Sequence, residues 1–121
     1  AQSRRIELIP KFAGSKDDQE SCTLDSILPR IAMPCLVKLD IEGAEAEVLR
    51  HAGALLALGA RWIIEVHALH LEQECLALLK QAGYTTRIVS PAWWRAVLPE
   101  KRPVAHNRWV IATRNWIPLT P

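Results

Sequence analysis

Two short apolar runs, each ending in polar residues, dominate the pattern of this chain. Cys35–Asp40 reads Cys-Leu-Val-Lys-Leu-Asp, and Trp62–His67 reads Trp-Ile-Ile-Glu-Val-His. Near-continuous apolar runs of this length are typical of strands that a parallel sheet buries on both faces. The pattern therefore predicts two buried parallel strands whose last residues are polar.

An amphipathic helix is predicted after each of these strands. The first helix begins at about Ala44, and its buried face has the i, i+4, i+7, i+8 spacing of Val48, Ala52, Leu55 and Leu56. The second helix spans roughly Leu71–Ala82. Its predicted buried face consists of Leu71, Cys75, Leu78 and Leu79. Gly59 and Gly83 follow the two helices, where a left-handed C-terminal cap is expected.

Shorter elements are predicted before the first apolar run. Ile6–Ile9 is the one apolar stretch of the polar segment Ala1–Glu20, and it predicts a short strand. Thr23–Leu28 predicts a brief helical turn, with Ser21 or Thr23 as its N-cap.

The order of the elements predicts an α/β fold. Strands that alternate with helices imply right-handed crossovers and parallel pairing. Thr85–Val89 and Asn107–Thr113 also read as strands, but only the loop Ser90–His106 separates them, so we expect these two strands to form an antiparallel pair at the sheet edge. We divide the chain into an N-terminal strand and loop arm, residues 1–20, and a domain over residues 21–121.

Composition and charge disfavour several classes of protein. The 121 residues carry a net charge of +2, and the basic residues are scattered, which does not favour a nucleic-acid partner. The longest stretch without a charged side chain, His51–Ala60, is too short to cross a bilayer. Three cysteines without a C-x-x-C pair predict reduced thiols and a cytoplasmic location. The first residue is alanine and the single methionine is Met33, so we expect a piece of a longer protein.

Ionisable residues gather where the two predicted parallel strands end. Lys38, Asp40 and Glu42 belong to the first strand end, and Glu65 and His67 to the second. Ligands of open α/β sheets bind beyond the carboxyl ends of the strands, and adjacent strands lie about 5 Å apart. We therefore expect these side chains to form one candidate site.

Each of these residues also has an ordinary structural interpretation. Asp40 can cap the following helix, and Glu42 can favour the positive end of that helix. Lys38 can neutralise a neighbouring carboxylate, and His67 can be a simple strand-end histidine. Glu65 is different, because a carboxylate inside an apolar strand needs a partner.

A metal ion is not predicted at this site. The spacing of His67, His70 and Cys75 matches no strong zinc pattern. Nothing in the sequence supports a divalent ion held by Asp40 and Glu42.

Several short motifs, in this order, resemble one enzyme family. They are Thr23–Leu28 (TLDSIL), Val37–Glu45 (VKLDIEGAE), Val48–Arg50, Ile63–His67, Ala82–Tyr84 and Asn107–Ala112. Together they resemble the FkbM-type S-adenosylmethionine-dependent methyltransferases, most specifically in K-L-D-I-E-G-A-E after T-L-D-S. The resemblance runs from about Ser21 to Thr113.

The resemblance implies a fold, an activity and a site. The fold is a seven-stranded Rossmann-like sheet with an antiparallel last strand, and the activity is methyl transfer from S-adenosylmethionine to a hydroxyl of a sugar or small metabolite. Asp40 and Glu42 are expected near the cofactor, beside Glu65 and His67. A hydroxyl acceptor must lose its proton. We predict His67 as the base, because histidine titrates near neutrality, with Asp40 second and Glu65 completing the catalytic set.

The glycine-rich cofactor loop of that family has no counterpart in this chain, whose five glycines include no two with G-x-G spacing. We therefore expect the C-terminal half of a class I methyltransferase domain, with its other half or a partner chain at the exposed sheet edge. Two alternatives remain open. One is a non-catalytic remnant or interaction module of the same fold, and the other is a nucleotide-binding α/β domain with different chemistry.

Overall fold

The chain forms short strands and helices in the order predicted for an α/β domain. The computed structural model describes residues 5–90 and 107–114. A 3-10 helix spans Asp25–Arg30. The other elements are β1 (Phe12–Ala13), β2 (Ser21–Cys22), β3 (Leu36–Leu39), α1 (Glu45–Arg50), α2 (Gly53–Ala57), β4 (Arg61–Val66), α3 (Leu69–Gln81), β5 (Thr85–Val89) and β6 (Arg108–Thr113).

Four strands form the main sheet, in the order β3-β4-β6-β5. β3 and β4 pair in parallel, whereas β6 lies antiparallel between β4 and β5. The predicted mixture of parallel strands and an antiparallel last strand is therefore confirmed. The antiparallel pair of β6 and β5 forms one end of the sheet, as predicted, with β5 as the outer strand. β1 and β2 form a separate two-stranded parallel sheet.

The two central strands of the main sheet, β4 and β6, are largely buried on one face. Trp62, Ile64 and Val66 alternate along β4 and are 0% exposed, as are their register partners on β6, Val110 and Ala112. Side chains of all three α-helices pack into the same core, including Leu49, Leu55 and Leu79. Apolar surface removed from water stabilises the domain by roughly 25 cal/mol per Å², so this face supplies most of the folding free energy.

Polar groups inside this core are hydrogen-bonded. The Tyr84 hydroxyl accepts from Trp62 Nε1 at 3.3 Å and lies 2.8 Å from the carbonyl oxygen of Ala60. Burial raises the pKa of the Tyr84 hydroxyl. Arg108 Nε donates to Glu72 at 2.8 Å, which links α3 to β6.

The predicted strand at Ile6–Ile9 is wrong. The segment forms no strand, and Ile6 and Leu8 are 93% and 85% exposed. The strand lies further along at β1, where Phe12 N–H donates to Glu20 O and Gly14 N–H donates to Cys22 O. An apolar run without a pairing partner does not become a strand, and the partner here is β2.

The long helix predicted from Ala44 is divided into α1 and α2. His51 and Ala52 interrupt it, and α2 begins at Gly53. The cause is Asp25 of the 3-10 helix, whose carboxylate accepts the backbone N–H groups of Ala54 and Leu55 at 2.9 and 3.0 Å. These bonds satisfy amide groups that the start of a helix leaves unpaired. All four apolar residues of the predicted face are nevertheless buried.

Three predicted details of the other elements differ from the structure. β3 is not buried on both faces, since it is an edge strand and Leu36 is 61% exposed. In α3, Cys75 and Leu79 are buried as predicted, but Leu71 and Leu78 are only half-buried. The 3-10 helix has Leu24 as its formal N-cap, although the Thr23 hydroxyl accepts from Ser26 N–H at 3.2 Å.

Gly59 and Gly83 have positive φ values of 80° and 84°, as predicted for helix C-terminal caps. No helix within residues 5–90 or 107–114 is long and apolar enough to span a membrane. Most of the predicted loop Ser90–His106 lies outside the described residues.

Candidate functional site

Asp40, Glu65 and His67 come together at the carboxyl ends of β3 and β4. One ligand atom from each lies within 4.8 Å of the others. His67 Nε2 is 3.8 Å from Asp40 Oδ1 and 3.9 Å from Glu65 Oε1. Both distances are longer than a hydrogen bond, so Nε2 is hydrogen-bonded to neither of these two carboxylates. We call these three side chains the acid–histidine cluster.

Glu65 is the most deeply buried acid of this cluster. Its side chain is 9% exposed, and it points from the sheet toward His67. A carboxylate this deeply buried is costly unless a partner lies close to it, and the imidazole of His67 is such a partner.

Asp40 occupies the open side of the cluster, with its side chain 41% exposed. Lys38 Nζ lies 3.9 Å from Asp40 Oδ2 and 5.6 Å from the centre of the Trp109 ring. Asp40 does not cap α1, because the N-cap residue is Ala44 and no side chain caps that helix end. The alternative that Asp40 is only a helix cap is therefore excluded by the structure.

Glu42 lies outside the acid–histidine cluster. It is exposed, and its φ of +52° places it in the left-handed region of the backbone. Its surroundings form an open concavity of about 530 Å³. The lining residues are Phe12, Ala13, Asp40, Ile41, Glu42 and Ala44.

Glu45 belongs to the site, although the sequence patterns did not single it out. It is the first residue of α1 and is 0% exposed. Its Oε1 lies 3.0 Å from Nδ1 of His67, and its carboxylate accepts Gly43 N–H at 3.1 Å. The available signal was helical spacing, since Glu45 falls three and four residues before Val48 and Leu49 on the buried face.

Asn107 is a second residue that the patterns did not single out. Its Oδ1 is buried and has no hydrogen-bond partner among the described residues. The β4–β6 register pairs Val66 with Arg108, which places Asn107 beside His67, one position further along. Within the described residues, the site therefore contains a buried acceptor, Asn107 Oδ1, without a donor.

Cys75 and His70 do not join this site as metal ligands. His70 is exposed at the start of α3. Cys75 is 0% exposed, and burial, followed by the nearby charge of Glu45, raises the pKa of its thiol to about 12. A thiol with that pKa is neither a thiolate nucleophile nor a ready metal ligand at neutral pH.

The donor set of the cluster has two chemical uses. Two carboxylates and an imidazole can hold a divalent cation. They can also surround a hydroxyl group, with the imidazole taking a proton and the carboxylates stabilising the resulting positive charge. Lys38 already places a positive charge beside Asp40, which favours the second use.

The fold is that of a mixed α/β protein, and the acid–histidine cluster lies at the carboxyl ends of its parallel strands, where open α/β sheets bind their ligands. The family model described as the methyltransferase FkbM domain matches residues 2–92 of the chain. The chain therefore belongs to the FkbM methyltransferase family. No curated protein and no solved structure gives a further match.

Proposed function

We propose that this chain takes part in the transfer of a methyl group from S-adenosylmethionine to a hydroxyl group of a sugar or small metabolite. In this proposal it is the C-terminal portion of a Rossmann-like class I methyltransferase domain. The observation that carries the proposal is the direction of His67, whose Nε2 faces Asp40 and Glu65 while Nδ1 is held by Glu45.

His67 is the proposed proton acceptor of the reaction. The hydroxyl oxygen of the acceptor lies against Nε2, loses its proton to the imidazole and uses its electron pair to bond the methyl carbon. The imidazolium that forms is surrounded by the carboxylates of Asp40, Glu45 and Glu65, which stabilise its charge. General-base assistance of this kind contributes typically 10²–10⁴-fold to a rate.

S-adenosylmethionine supplies an electrophilic methyl group on a sulfonium, and the sulfur keeps the electron pair when the carbon–sulfur bond breaks. The concavity beside Asp40 and Glu42 fits part of this cofactor, because its exposed carboxylates can accept hydrogen bonds from hydroxyl or ammonium groups and its remaining lining is largely apolar. Asp40 and Glu42 are the proposed cofactor contacts. The chain has no glycine-rich loop to hold the rest.

The free edge of β3 is the proposed place for additional strands. β3 pairs with β4 on one side, and Leu36 on this edge strand is 61% exposed. Unpaired strand edges are templates for further pairing. The remaining half of the methyltransferase sheet is the proposed occupant. The free thiols of Cys22, Cys35 and Cys75 support a cytoplasmic location.

The alternative is a non-catalytic module of the same fold that pairs with another chain through this edge. The lack of a G-x-G pair among the five glycines favours it. Calorimetry with S-adenosylmethionine separates the two proposals. Binding by the folded chain, or by the full protein that contains it, supports the enzyme, and silence in both supports the module.

The test of the base is His67→Ala in the full protein. We expect turnover to fall by about 10²–10⁴-fold, with S-adenosylmethionine affinity nearly unchanged. His70→Ala is the matched control, because His70 is exposed on α3 and outside the site. Unchanged turnover in His67→Ala removes this residue from the mechanism. Turnover that is lost in a chelator and restored by a divalent cation reassigns the cluster as metal ligands.

A further inference from the structure

We propose that Glu45 is a positioning residue that fixes the tautomer and the direction of His67. The catalytic purpose of this arrangement rests on the proposed function. The hydrogen bond between Glu45 and His67 does not depend on it. The Glu-Gly-Ala-Glu turn, residues 42–45, is in this proposal a device that brings a buried carboxylate under the imidazole.

The contacts of Glu45 set the direction of its hydrogen bond to His67 when the carboxylate is ionised. The side chain is 0% exposed, and its contacts are His67 Nδ1 at 3.0 Å and Gly43 N–H. An ionised carboxylate only accepts hydrogen bonds, so Nδ1 must carry the hydrogen. The lone pair of the neutral ring is then on Nε2, which faces Asp40 and Glu65.

The turn before α1 explains how the carboxylate reaches this position. Glu42 and Gly43 have positive φ values of 52° and 118°. This left-handed path aims the Gly43 N–H back at Glu45, where both carboxylate oxygens lie within 3.2 Å of the nitrogen. A Cβ at Gly43 would meet no atom within 4 Å, so glycine is required by the backbone conformation and not by space.

A purely structural role for Glu45 makes a different prediction. A carboxylate at the first position of a helix favours the helix dipole, and Glu45 could serve only that purpose. Replacement of Glu45 by an apolar residue removes the acceptor of Gly43 N–H and of His67 Nδ1, so a loss of stability is expected for either role and does not separate them. Only the positioning role requires that the ring of His67 change state when Glu45 is replaced.

The test is long-range ¹H–¹⁵N NMR of the histidine rings in the full chain, without cofactor or acceptor, at a pH where the rings are neutral. We expect wild-type His67 to carry its hydrogen on Nδ1. Glu45→Gln should keep this tautomer, since the amide oxygen can still accept. Glu45→Leu should shift His67 toward the Nε2–H tautomer.

Glu47→Leu is the matched control, because Glu47 is exposed in the same turn of α1. It should leave the His67 signals unchanged. Wild-type His67 with its hydrogen on Nε2, or a Glu45→Leu spectrum identical to wild type, overturns the inference. If Glu45→Leu does not fold, the wild-type spectrum decides alone.

Activity separates this inference from the proposed function. In the full protein, Glu45→Leu should lower kcat on the order of 10²-fold with little change in KM, and Glu45→Gln should recover much of the loss. If the NMR spectrum confirms the Nδ1–H tautomer but turnover is unchanged in His67→Ala, the proposed base is wrong and the Glu45–His67 pair is still supported.

Discussion

The two faces of the main sheet use the same strands for different purposes. On the helix-covered face, Trp62, Ile64 and Val110 are 0% exposed and surrounded by apolar side chains. On the opposite face, Glu65 and its register partner Trp109 lie near Lys38, and the polar groups have few partners. Because side chains alternate along a strand, one six-residue segment, β4, serves both faces. One face supplies stability, and the other carries the candidate chemistry.

The largest expected effect is on the covered face. Trp62→Ala should lower the free energy of unfolding by about 3–5 kcal/mol, because it leaves a cavity and removes the donor to Tyr84. Chemical denaturation followed by circular dichroism measures this loss. Ile63→Ala, one position along on the open face, is the control and should cost roughly 1 kcal/mol. Equal losses at both positions contradict the comparison.

Glu65→Gln tests the open face, where function and stability should move in opposite directions. Turnover of the full protein should fall by about tenfold or more, because one carboxylate beside His67 Nε2 is lost. The free energy of unfolding should rise by about 1 kcal/mol, because a neutral amide replaces a carboxylate that is only 9% exposed. Paired kinetic and denaturation measurements check both signs. A large loss of stability instead shows that Glu65 has a structural role.

Asp25→Ala sharpens the account of the covered face, where α2 depends on a carboxylate from another element. Loss of the two bonds to Ala54 and Leu55 should cost about 1 kcal/mol. Hydrogen exchange of the amides in α2 should accelerate, while amides in α3 stay protected. Ser26→Ala is a control in the same 3-10 helix. Uniform acceleration across both helices contradicts a local cap.

Cys75 gives the smallest effect at neutral pH and a pH dependence with a definite sign. Its folded pKa, about 12, lies above the ordinary value of 9.0. The unfolded chain therefore loses this proton first, so the stabilising contribution is complete below pH 9 and declines as pH rises toward 12. Cys75→Ala should flatten this decline. Iodoacetamide at pH 8 should modify half-buried Cys35 before Cys75, and equal rates would contradict the burial.

Much of the candidate site could be predicted from the sequence, because it depends on where two strands end. Asp40, Glu65 and His67 were expected together, and the structure brings them within 4.8 Å of one another. Glu42 was expected beside them, but it is directed into the neighbouring concavity. Alternation along a strand is a local rule, whereas the residues after β3 follow a left-handed turn that the rule does not describe.

The sequence by itself determined the order of the main-sheet strands and the helical segments between them, most of the buried helix residues and the family, because periodicity and short motifs are local properties. Only the tertiary structure decided which distant residues pair. Asp25 accepts a hydrogen bond from the start of α2, 29 residues away in the sequence, and Glu45 contacts His67, 22 residues away. Both contacts satisfy polar groups from separate elements. A pattern shows which group needs a partner, but the partner is chosen when the chain folds and the elements meet.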